Sequence, residues 1–361
     1  MKTIRGRARA ALAAACGLLA ATSFALLAPA PASAAGAAPA VDAGHASPDG
    51  KGEVMPAASP WIERIAGNSR YTTSKAIYFS RAWDYKSIVL ASGEIPWDAL
   101  AATPLAAALG APVVLTTPGS LHPAAREVLL NARTVGVTDV RLAGGTGSLS
   151  PRVEAEVRAL GFQQVSRHYG SDRYETASVL AHQTRAEYLS QGKQFNAVFF
   201  VDGTSVPDAL ATGPAAAQEN GAILLTDGRR VRPDILGNAQ NYGVPMYAVG
   251  GAAVAALRGV HVGTLVGADR YDTAVQVARA YVTTTRQLVI ASGEDFPDAL
   301  SGGAMAAYIN GALVLTRPNQ VPPPVLDYLE PGRFHFALVT GGPKSVSGPT
   351  FNRIRAEIGA N

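Results

Sequence analysis

One short phrase occurs three times in this chain and limits its fold more than any other feature. The phrase occupies residues 67–73 (GNSRYTT), 170–176 (GSDRYET) and 267–273 (GADRYDT). The copies recur about every 100 residues, which is the signature of a tandem array of one structural unit. We refer to it as the arginine-tyrosine phrase.

Three further phrases recur in the same order after each copy of the first. They are WDAL (97–100), PDAL (207–210) and PDAL (297–300), called the DAL phrase; GAPVVLT (110–116), GAILLT (221–226) and GALVLT (311–316); and the glycine pairs Gly144-Gly145, Gly250-Gly251 and Gly341-Gly342. Four ordered anchors predict three repeats, which we place at residues 61–162, 163–259 and 260–361.

The first residues have the composition of a secretory signal peptide. Basic residues precede an apolar run, and residues 32–34 (ASA) supply a small-residue cleavage pattern. We predict a signal peptide over residues 1–34, a flexible spacer over 35–60 that is rich in Ala, Pro, Gly and Ser, and no transmembrane segment in the mature chain. Cys16 leaves the alternative of a lipoprotein signal open, although the usual preceding leucine is missing.

Charge and cysteine content argue against a nucleic-acid-binding protein and against a fold stabilised by disulfide bonds. The chain has 31 basic and 27 acidic residues, a formal net charge of +4. Four of the basic residues lie within 1–34, so the predicted mature chain is neutral and its charge does not indicate nucleic acid binding. Its one cysteine also lies there, so the mature chain cannot form a disulfide bond.

The third repeat illustrates the predicted secondary structure of one unit. Strands are expected at 287–291, 312–316 and 336–340, because these are continuous apolar runs, with a short apolar segment at 264–266. Helices are expected at 271–284, 297–309, 322–329 and 345–358. The alternation predicts a buried, mostly parallel sheet covered by helices.

The helix after each DAL phrase consists largely of alanine and glycine. Small side chains allow a helix to approach its neighbour closely, so we expect this helix to lie at a tightly packed face between repeats. A bulkier side chain at Ala216 should therefore destabilise the protein more than one at an exposed alanine.

The four phrases together, behind a signal peptide, resemble the cell wall-binding repeat 2 family of Gram-positive surface proteins, of an actinobacterial type. The resemblance covers residues 64–361. It implies an α/β fold of three tandem Toprim- or Rossmann-like modules in a pseudo-threefold arrangement. It also implies a secreted, wall-associated protein without a cofactor, which attaches non-covalently to an anionic wall polymer such as a teichoic acid-like or secondary wall polysaccharide. Peptidoglycan is a second partner consistent with the resemblance.

The arginine and tyrosine of the first phrase are the candidate polymer-binding residues: Arg70, Arg173, Arg270, Tyr71, Tyr174 and Tyr271. An arginine at the start of a helix combines a bidentate fork with free backbone N–H groups, and both favour anions. The alternative is structural. The arginine would pair with a local acid such as that of the DAL phrase and hold the repeats together, and the tyrosine would pack in the core. The wall-binding surface would then lie between the repeats.

The acidic and glycine anchors are candidates for structure or binding: Asp98, Asp208, Asp298 and the glycine pairs Gly144, Gly145, Gly250, Gly251, Gly341 and Gly342. The aspartates suit a helix N-terminus, as a charge or as a cap. The glycine pairs suit either a phosphate-binding loop or a tight turn beneath a neighbouring element.

The copies also differ from one another. Ser69 replaces an aspartate found in the other two, and Trp97 replaces a proline. The second repeat has seven extra residues around 189–195 and a short last helix around 252–258. These departures predict three sites of unequal competence.

No pattern in the sequence points to catalysis. The six histidines do not recur at equivalent positions, and the chain has no zinc-binding spacing and no G-x-S-x-G nucleophile motif. We therefore expect a non-catalytic binding protein. Two alternatives remain open: an accessory of a wall hydrolase of the N-acetylmuramoyl-L-alanine amidase type, and an extracellular small-molecule-binding protein.

Overall fold

The computed structural model describes residues 60–360 except residues 82, 84 and 284. The predicted signal peptide and all but the last residue of the predicted spacer lie outside the described residues. The described residues belong to one compact unit.

Strands and helices alternate through all three repeats. The first contains β1 (Trp61–Ile65), α1 (Arg70–Phe79), β2 (Ser87–Ser92), α2 (Pro96–Ala108), β3 (Val113–Thr116), α3 (Pro123–Thr134), β4 (Asp139–Ala143) and α4 (Pro151–Ala159). The second contains β5 (Gln164–His168), α5 (Arg173–Ser190), β6 (Val198–Asp202), a short 3-10 helix (Pro207–Ala209), α6 (Thr212–Gln218), β7 (Ala222–Thr226), α7 (Pro233–Asn241), β8 (Met246–Val249) and α8 (Gly251–Ala256). The third contains β9 (Gly263–Leu265), α9 (Arg270–Tyr281), β10 (Gln287–Ser292), α10 (Phe296–Tyr308), β11 (Ala312–Thr316), α11 (Pro323–Tyr328), β12 (Phe336–Thr340) and α12 (Gly348–Glu357).

The described strands form three four-stranded parallel sheets, with the orders β3-β2-β4-β5, β7-β6-β8-β9 and β11-β10-β12-β1. This confirms the predicted α/β class with three modules. Each sheet takes three strands from one repeat and its fourth from the next, and β1 closes the cycle by pairing with β12 of the third repeat. The cyclic exchange generates the pseudo-threefold arrangement.

The small-sided helices of the three repeats meet at the centre. Helices α2, α6 and α10 contact one another pairwise. A Cβ on Gly213 of α6 would lie 2.7 Å from Thr103 Cγ2 of α2, so the absence of a side chain there sets the separation of these two helices. The expectation of a tightly packed face between repeats is confirmed.

The DAL phrase contributes directly to this central packing. Its leucines, Leu100, Leu210 and Leu300, are each no more than 2% exposed and belong to one apolar cluster that draws on all three repeats. Each repeat buries apolar surface against the other two, which offsets the small size of a single unit.

The helix predictions differ from the structure mainly at their ends. The last helix of the third repeat starts at Gly348 rather than residue 345, because Ser345 N donates to Gly342 O in a turn and Ser347 caps the helix by accepting from Thr350 N. In the second repeat, the extra residues lengthen α5 to 18 residues and continue into the loop after it. The predicted short last helix is α8, with six residues.

Candidate functional site at the junctions between repeats

Each arginine of the first phrase occupies the first position of a helix. Helices α1, α5 and α9 begin at Arg70, Arg173 and Arg270, and the residue before each arginine is the N-cap. Ser69 accepts from Thr72 N in a capping box, and Asp172 and Asp269 accept equivalent backbone bonds. Serine and aspartate cap helices about equally well, which explains why Ser69 can replace the aspartate.

The guanidinium groups bond to backbone carbonyls and not to local acids. Arg70 Nη1 donates to Gly93 O at 2.6 Å, and Arg173 and Arg270 donate to Gly203 O and Gly293 O at 2.8 Å. Among the ion pairs of the described residues, none within 4.0 Å involves these arginines. The alternative of a direct ion pair with a local acid is therefore not what these side chains form; their direct partners are backbone carbonyls. In each case the glycine directly follows the second strand of the same repeat.

The arginines nevertheless connect neighbouring repeats. The guanidinium of Arg173 lies over the Trp97 ring of the first repeat, 5.0 Å from its centroid, and that of Arg70 lies over Phe296 of the third repeat at 5.8 Å. Cation–π contacts of this kind stabilise by about 0.5–2 kcal/mol according to their exposure. We refer to the three places as junction 1–2, junction 2–3 and junction 3–1, after the repeats that they join.

The aspartates of the DAL phrase belong to the same junctions. Asp98 and Asp298 lie in the first turns of α2 and α10 without capping them, and are only 3% and 6% exposed. Burial raises the pKa of both carboxyls, and the positive charge of the next repeat's arginine, Arg173 or Arg70, partly offsets that rise. The expected helix-terminal charge is therefore present, but these two residues do not act as caps.

The first glycine of each pair packs directly against one of these carboxylates. A Cβ added to Gly144 or Gly341 would overlap Asp98 or Asp298, and both glycines have a positive φ, +109° and +106°. Gly250 has the same relation to Asp208. This observation fits the interpretation of the pair as a tight turn beneath a neighbouring element.

Hydroxyl groups complete the contacts of two of the buried carboxylates. Ser345 Oγ donates to Asp298 Oδ2 at 2.8 Å, and hydrogen bonds from Ser345 and from Thr73 of the first repeat lower the pKa of Asp298 against the effect of burial. Ser148 plays the same part for Asp98. Our sequence reasoning missed these serines, although each stands four residues after the first glycine of its pair.

The threonine that ends the first phrase shapes the loop before each helix. Thr73 Oγ1 accepts from Gly67 N at 3.0 Å, Thr176 Oγ1 from Gly170 N at 3.0 Å, and Thr273 Oγ1 from Gly267 N at 3.1 Å. The phrase is therefore partly a device for closing a tight loop ahead of a helix. Because the threonine recurs at the same position in all three phrases, its structural role could have been predicted from the sequence.

A second arginine reaches across each of two junctions. Arg64 Nη1 of β1 donates to Gly341 O at 2.8 Å, and Arg167 Nη1 of β5 donates to Gly144 O at 3.1 Å. Each arginine fastens the exchanged strand to the glycine-pair loop of the preceding repeat. The third repeat has Thr264 at the equivalent position.

Junction 2–3 differs from the other two in several ways. Val254 stands where the others have serine, and the DAL phrase begins a 3-10 helix. Asp208 is only half-buried, and burial raises the pKa of its carboxyl while the charge of Arg270 opposes the rise. Three unequal junctions match the departures seen in the sequence.

The tyrosines turn toward protein. Tyr71 Oη donates to Glu94 Oε1 at 3.0 Å, and its ring stacks on His122 with centroids 4.3 Å apart. Tyr271 is 3% exposed, beneath the guanidinium of Arg317. Each tyrosine ring packs against the glycine whose carbonyl accepts from the neighbouring arginine, Tyr174 against Gly203 among them. These contacts are those of core packing with a partly satisfied hydroxyl.

Two of the junctions enclose clefts. The cleft at junction 3–1 has a volume of about 620 Å³ and is lined by Arg70, Lys344, Asp295 and Asp298, together with backbone from both repeats. The cleft at junction 1–2 has a volume of about 220 Å³, and Arg173 and Asp98 lie in its wall. Residues from the arginine-tyrosine phrase, the DAL phrase and the glycine-pair loop thus come together between repeats, and not within any one of them.

Within residues 60–360 as described, no group of three or more histidine, cysteine or acidic residues is arranged to hold a metal ion. The helices of that part of the chain are all too short or too polar to cross a membrane.

Comparison with known proteins agrees with this architecture. The family model for cell wall binding domain 2 matches residues 64–154, 167–256 and 264–350. The chain therefore belongs to the cell wall binding domain 2 family, with three copies of the domain.

Relatives of the chain include the N-acetylmuramoyl-L-alanine amidase LytC of Bacillus subtilis strain 168, 23% identical over 82% of this chain and 58% of the relative. The amidase enhancer of the same organism is 26% identical over 72% of this chain and 35% of the relative. The chain thus spans little more than half of one of these relatives and about a third of the other.

Two solved structures share the fold. Cwp6 from Clostridium difficile superimposes with a TM-score of 0.75 at 20% identity, covering 87% of this chain and 50% of the other. Cwp8 from the same organism gives 0.71 at 23% identity, covering 82% and 51%.

Proposed function

We propose that this chain is a secreted, non-catalytic protein that attaches non-covalently to an anionic polymer of the bacterial cell wall through its inter-repeat junctions. Membership of the cell wall binding domain 2 family supports attachment to the wall. The observation that carries the anionic part of the proposal is the cleft at junction 3–1, which is lined by Arg70, the first residue of α1, and by Lys344.

The charges around this cleft favour an anion. Only one guanidinium nitrogen of Arg70 is engaged by Gly93 O, so the rest of the fork is available for phosphate or carboxylate oxygens. Lys344 is exposed. Asp298 is buried, so Asp295 is the exposed carboxylate in the lining.

Repetition adds to the strength of attachment. Arg173 and Arg270 occupy the equivalent positions at the other junctions, so one rigid body offers several weak sites to a repeating polymer. Linked weak sites give avidity well above that of one site. Because junction 2–3 lacks the serine and the second strand arginine, we assign it the smallest contribution.

Secretion is the second part of the proposal and rests on the sequence of residues 1–34. Mass spectrometry of the protein recovered from culture medium or wall extract should find an N-terminus at Ala35. A protein that keeps residues 1–34 and stays inside the cell would contradict it.

Attachment is tested by co-sedimentation with purified walls before and after extraction of their anionic polymers. We expect binding to fall on extraction and with rising salt, since exposed charge contacts are screened. Equal binding to both preparations would refute the polymer assignment.

Variants of the cleft separate binding from folding. Lys344→Ala removes an exposed cation and should weaken wall binding several-fold at unchanged melting temperature, whereas Lys86→Ala, an exposed lysine elsewhere, should change neither. Arg70→Ala, Arg173→Ala and Arg270→Ala, alone and together, should give a graded loss of binding. If Lys344→Ala binds like the wild type, junction 3–1 is not the polymer site.

The similarity to the amidase enhancer, over 72% of this chain, favours one alternative, an accessory role beside a wall hydrolase. Zymography with the chain alone, and with a wall amidase added, distinguishes the two proposals. A lytic band from the chain alone, or a higher amidase rate in its presence, would support the alternative.

A further inference from the structure

The extra residues of the second repeat build a cleft of their own. Its volume of about 410 Å³ falls within the range of about 300–1,000 Å³ that small-ligand sites occupy. Arg185 and Leu189 of α5 line it, together with Lys193 and Phe195 of the loop that follows and Tyr242 after α7. It shares no lining residue with the two junction clefts.

The walls of this cleft are held in place by the protein itself. Lys193 N donates to Tyr188 O at 2.9 Å, which fixes the turn that ends α5. Gln191 Nε2 donates to Ala108 O of the first repeat at 2.6 Å, and Phe195 is only 7% exposed. A loop anchored at several points loses little conformational freedom when a ligand binds.

The charge of the cleft is wholly positive. Arg185 and Lys193 line it, and no aspartate or glutamate does. The ion pairs formed within the described part of the chain include neither residue. Two uncompensated cations beside one cavity favour an anionic group in it.

Two aromatic side chains also belong to the lining of this cleft. The ring of Phe195 meets that of Tyr242 edge-on with centroids 5.3 Å apart, and the Arg185 guanidinium lies 5.7 Å from the Tyr242 centroid. Tyr242 Oη is shielded from solvent and has no hydrogen-bond partner among the described residues.

We propose that this cleft binds a sugar unit that carries a phosphate or carboxylate group. Arg185 and Lys193 would neutralise the anionic group, and the Tyr242 ring and Leu189 would pack against the C–H face of the sugar. Because this site is separate from the junction clefts, its test does not depend on theirs.

The test uses the full chain without residues 1–34, titrated with glucose 6-phosphate, glucuronate, glucose and inorganic phosphate by ligand-observed NMR and calorimetry. We expect one charged sugar to bind at least about tenfold more tightly than glucose or phosphate alone, since only it uses both the cations and the rings. The two charged sugars distinguish a phosphate site from a carboxylate site.

Variants locate the binding. Arg185→Ala/Lys193→Ala should weaken it at least about tenfold, whereas Lys75→Ala/Arg353→Ala, which removes the same charge at ion-paired surface positions, should leave it unchanged. Tyr242→Phe keeps the ring and removes only the shielded hydroxyl, so it should leave the affinity unchanged. Equal affinity for glucose and the charged sugars, no binding by the wild type, or full binding by the Arg185/Lys193 variant would overturn the proposal.

Discussion

The ring of Trp61 stacks on the ring of Phe336, with centroids 5.0 Å apart and planes inclined by 29°. The two residues begin β1 and β12 and face each other in the parallel register of that pair. They belong to the first and third repeats, so their contact lies where the cycle of three sheets closes. In a linear array of repeats, β1 would have no partner strand and the sheet of the last repeat would lack its fourth strand. Here every sheet contains a strand from the next repeat of the cycle.

The first prediction concerns this closure. Trp61→Ala and Phe336→Ala should each lower the free energy of unfolding in urea, and the double variant should reveal a coupling of about 0.5–1.5 kcal/mol, as expected for a stacked aromatic pair. Trp61→Ala combined with Val135→Ala, an exposed residue elsewhere, should be additive. Strict additivity for the Trp61/Phe336 pair would show that the stacking does not help to close the cycle.

The second prediction concerns the central helices. Ala216 is fully buried in α6, which packs against both α2 and α10. Ala216→Leu should cost about 1–3 kcal/mol because close-packed helices cannot admit the larger side chain without moving apart. Ala186→Leu, at an exposed position in α5, is the matched control and should change stability by no more than about 0.5 kcal/mol. Equal melting temperatures for the two variants would contradict the packing argument.

Some of this architecture was predictable from the sequence because it depends on local patterns. The strands 312–316 and 336–340 are continuous apolar runs between turn residues, and the structure has them with those bounds. The repeat itself follows from anchors that keep their order. A parallel α/β module and a close-packed alanine-rich helix follow from the same patterns.

The strand exchange and the junctions were not predictable in the same way. Nothing in the sequence of β1, WIERI, says which sheet its edge will join, because pairing depends on the path of the whole chain. The same holds for Arg70: its own repeat supplies the carbonyl of Gly93, but the ring and the carboxylate beside it come from the third repeat. The sequence suggested the DAL aspartate as a neighbour of the arginine, but it could not show that this aspartate comes from another repeat.

The third prediction concerns the glycine pair. Gly144 has a φ of +109° and its missing Cβ leaves room for the Asp98 carboxylate, whereas a Cβ on Gly147 in the same loop would meet nothing within 4 Å. Gly144→Ala should lower the free energy of unfolding by about 1–3 kcal/mol, and Gly147→Ala should be nearly neutral. Comparable losses of stability for both variants would mean that the loop needs glycine at position 144 for flexibility and not for the close approach of the Asp98 carboxylate.

The fourth prediction concerns pH. Burial raises the pKa of Asp98 above its usual value of 3.8, so folding favours the protonated form relative to the unfolded chain. The stability that the carboxyl contributes is greatest below that usual value and is lost as the pH rises through the folded-state pKa. The stability of Asp98→Asn relative to the wild type should therefore increase from pH 3.5 to pH 7, as measured by melting temperature.

Asp227 provides the opposite control. Backbone hydrogen bonds from Arg230 and Arg229 lower the pKa of this exposed carboxyl. The stability that this carboxylate contributes is present at neutral pH and is lost as the pH falls through the folded-state pKa. The stability of Asp227→Asn relative to the wild type should therefore be highest at low pH. The same pH trend for both variants would show that the Asp98 carboxyl is not penalised by burial.

The last prediction separates the two roles of the arginines. Arg173→Lys keeps the positive charge but loses the planar group that lies over Trp97 and donates to Gly203 O. If the guanidinium joins the first and second repeats, this variant should lose about 0.5–2 kcal/mol, close to the loss for Arg173→Ala. Arg152→Lys, at an exposed helix position, is the control and should be nearly neutral. Wall binding is measured alongside. Full stability of Arg173→Lys with reduced wall binding would assign Arg173 to the polymer alone. Reduced stability with wall binding retained would assign its guanidinium to the junction between repeats, because the positive charge of the lysine would then be enough for the polymer.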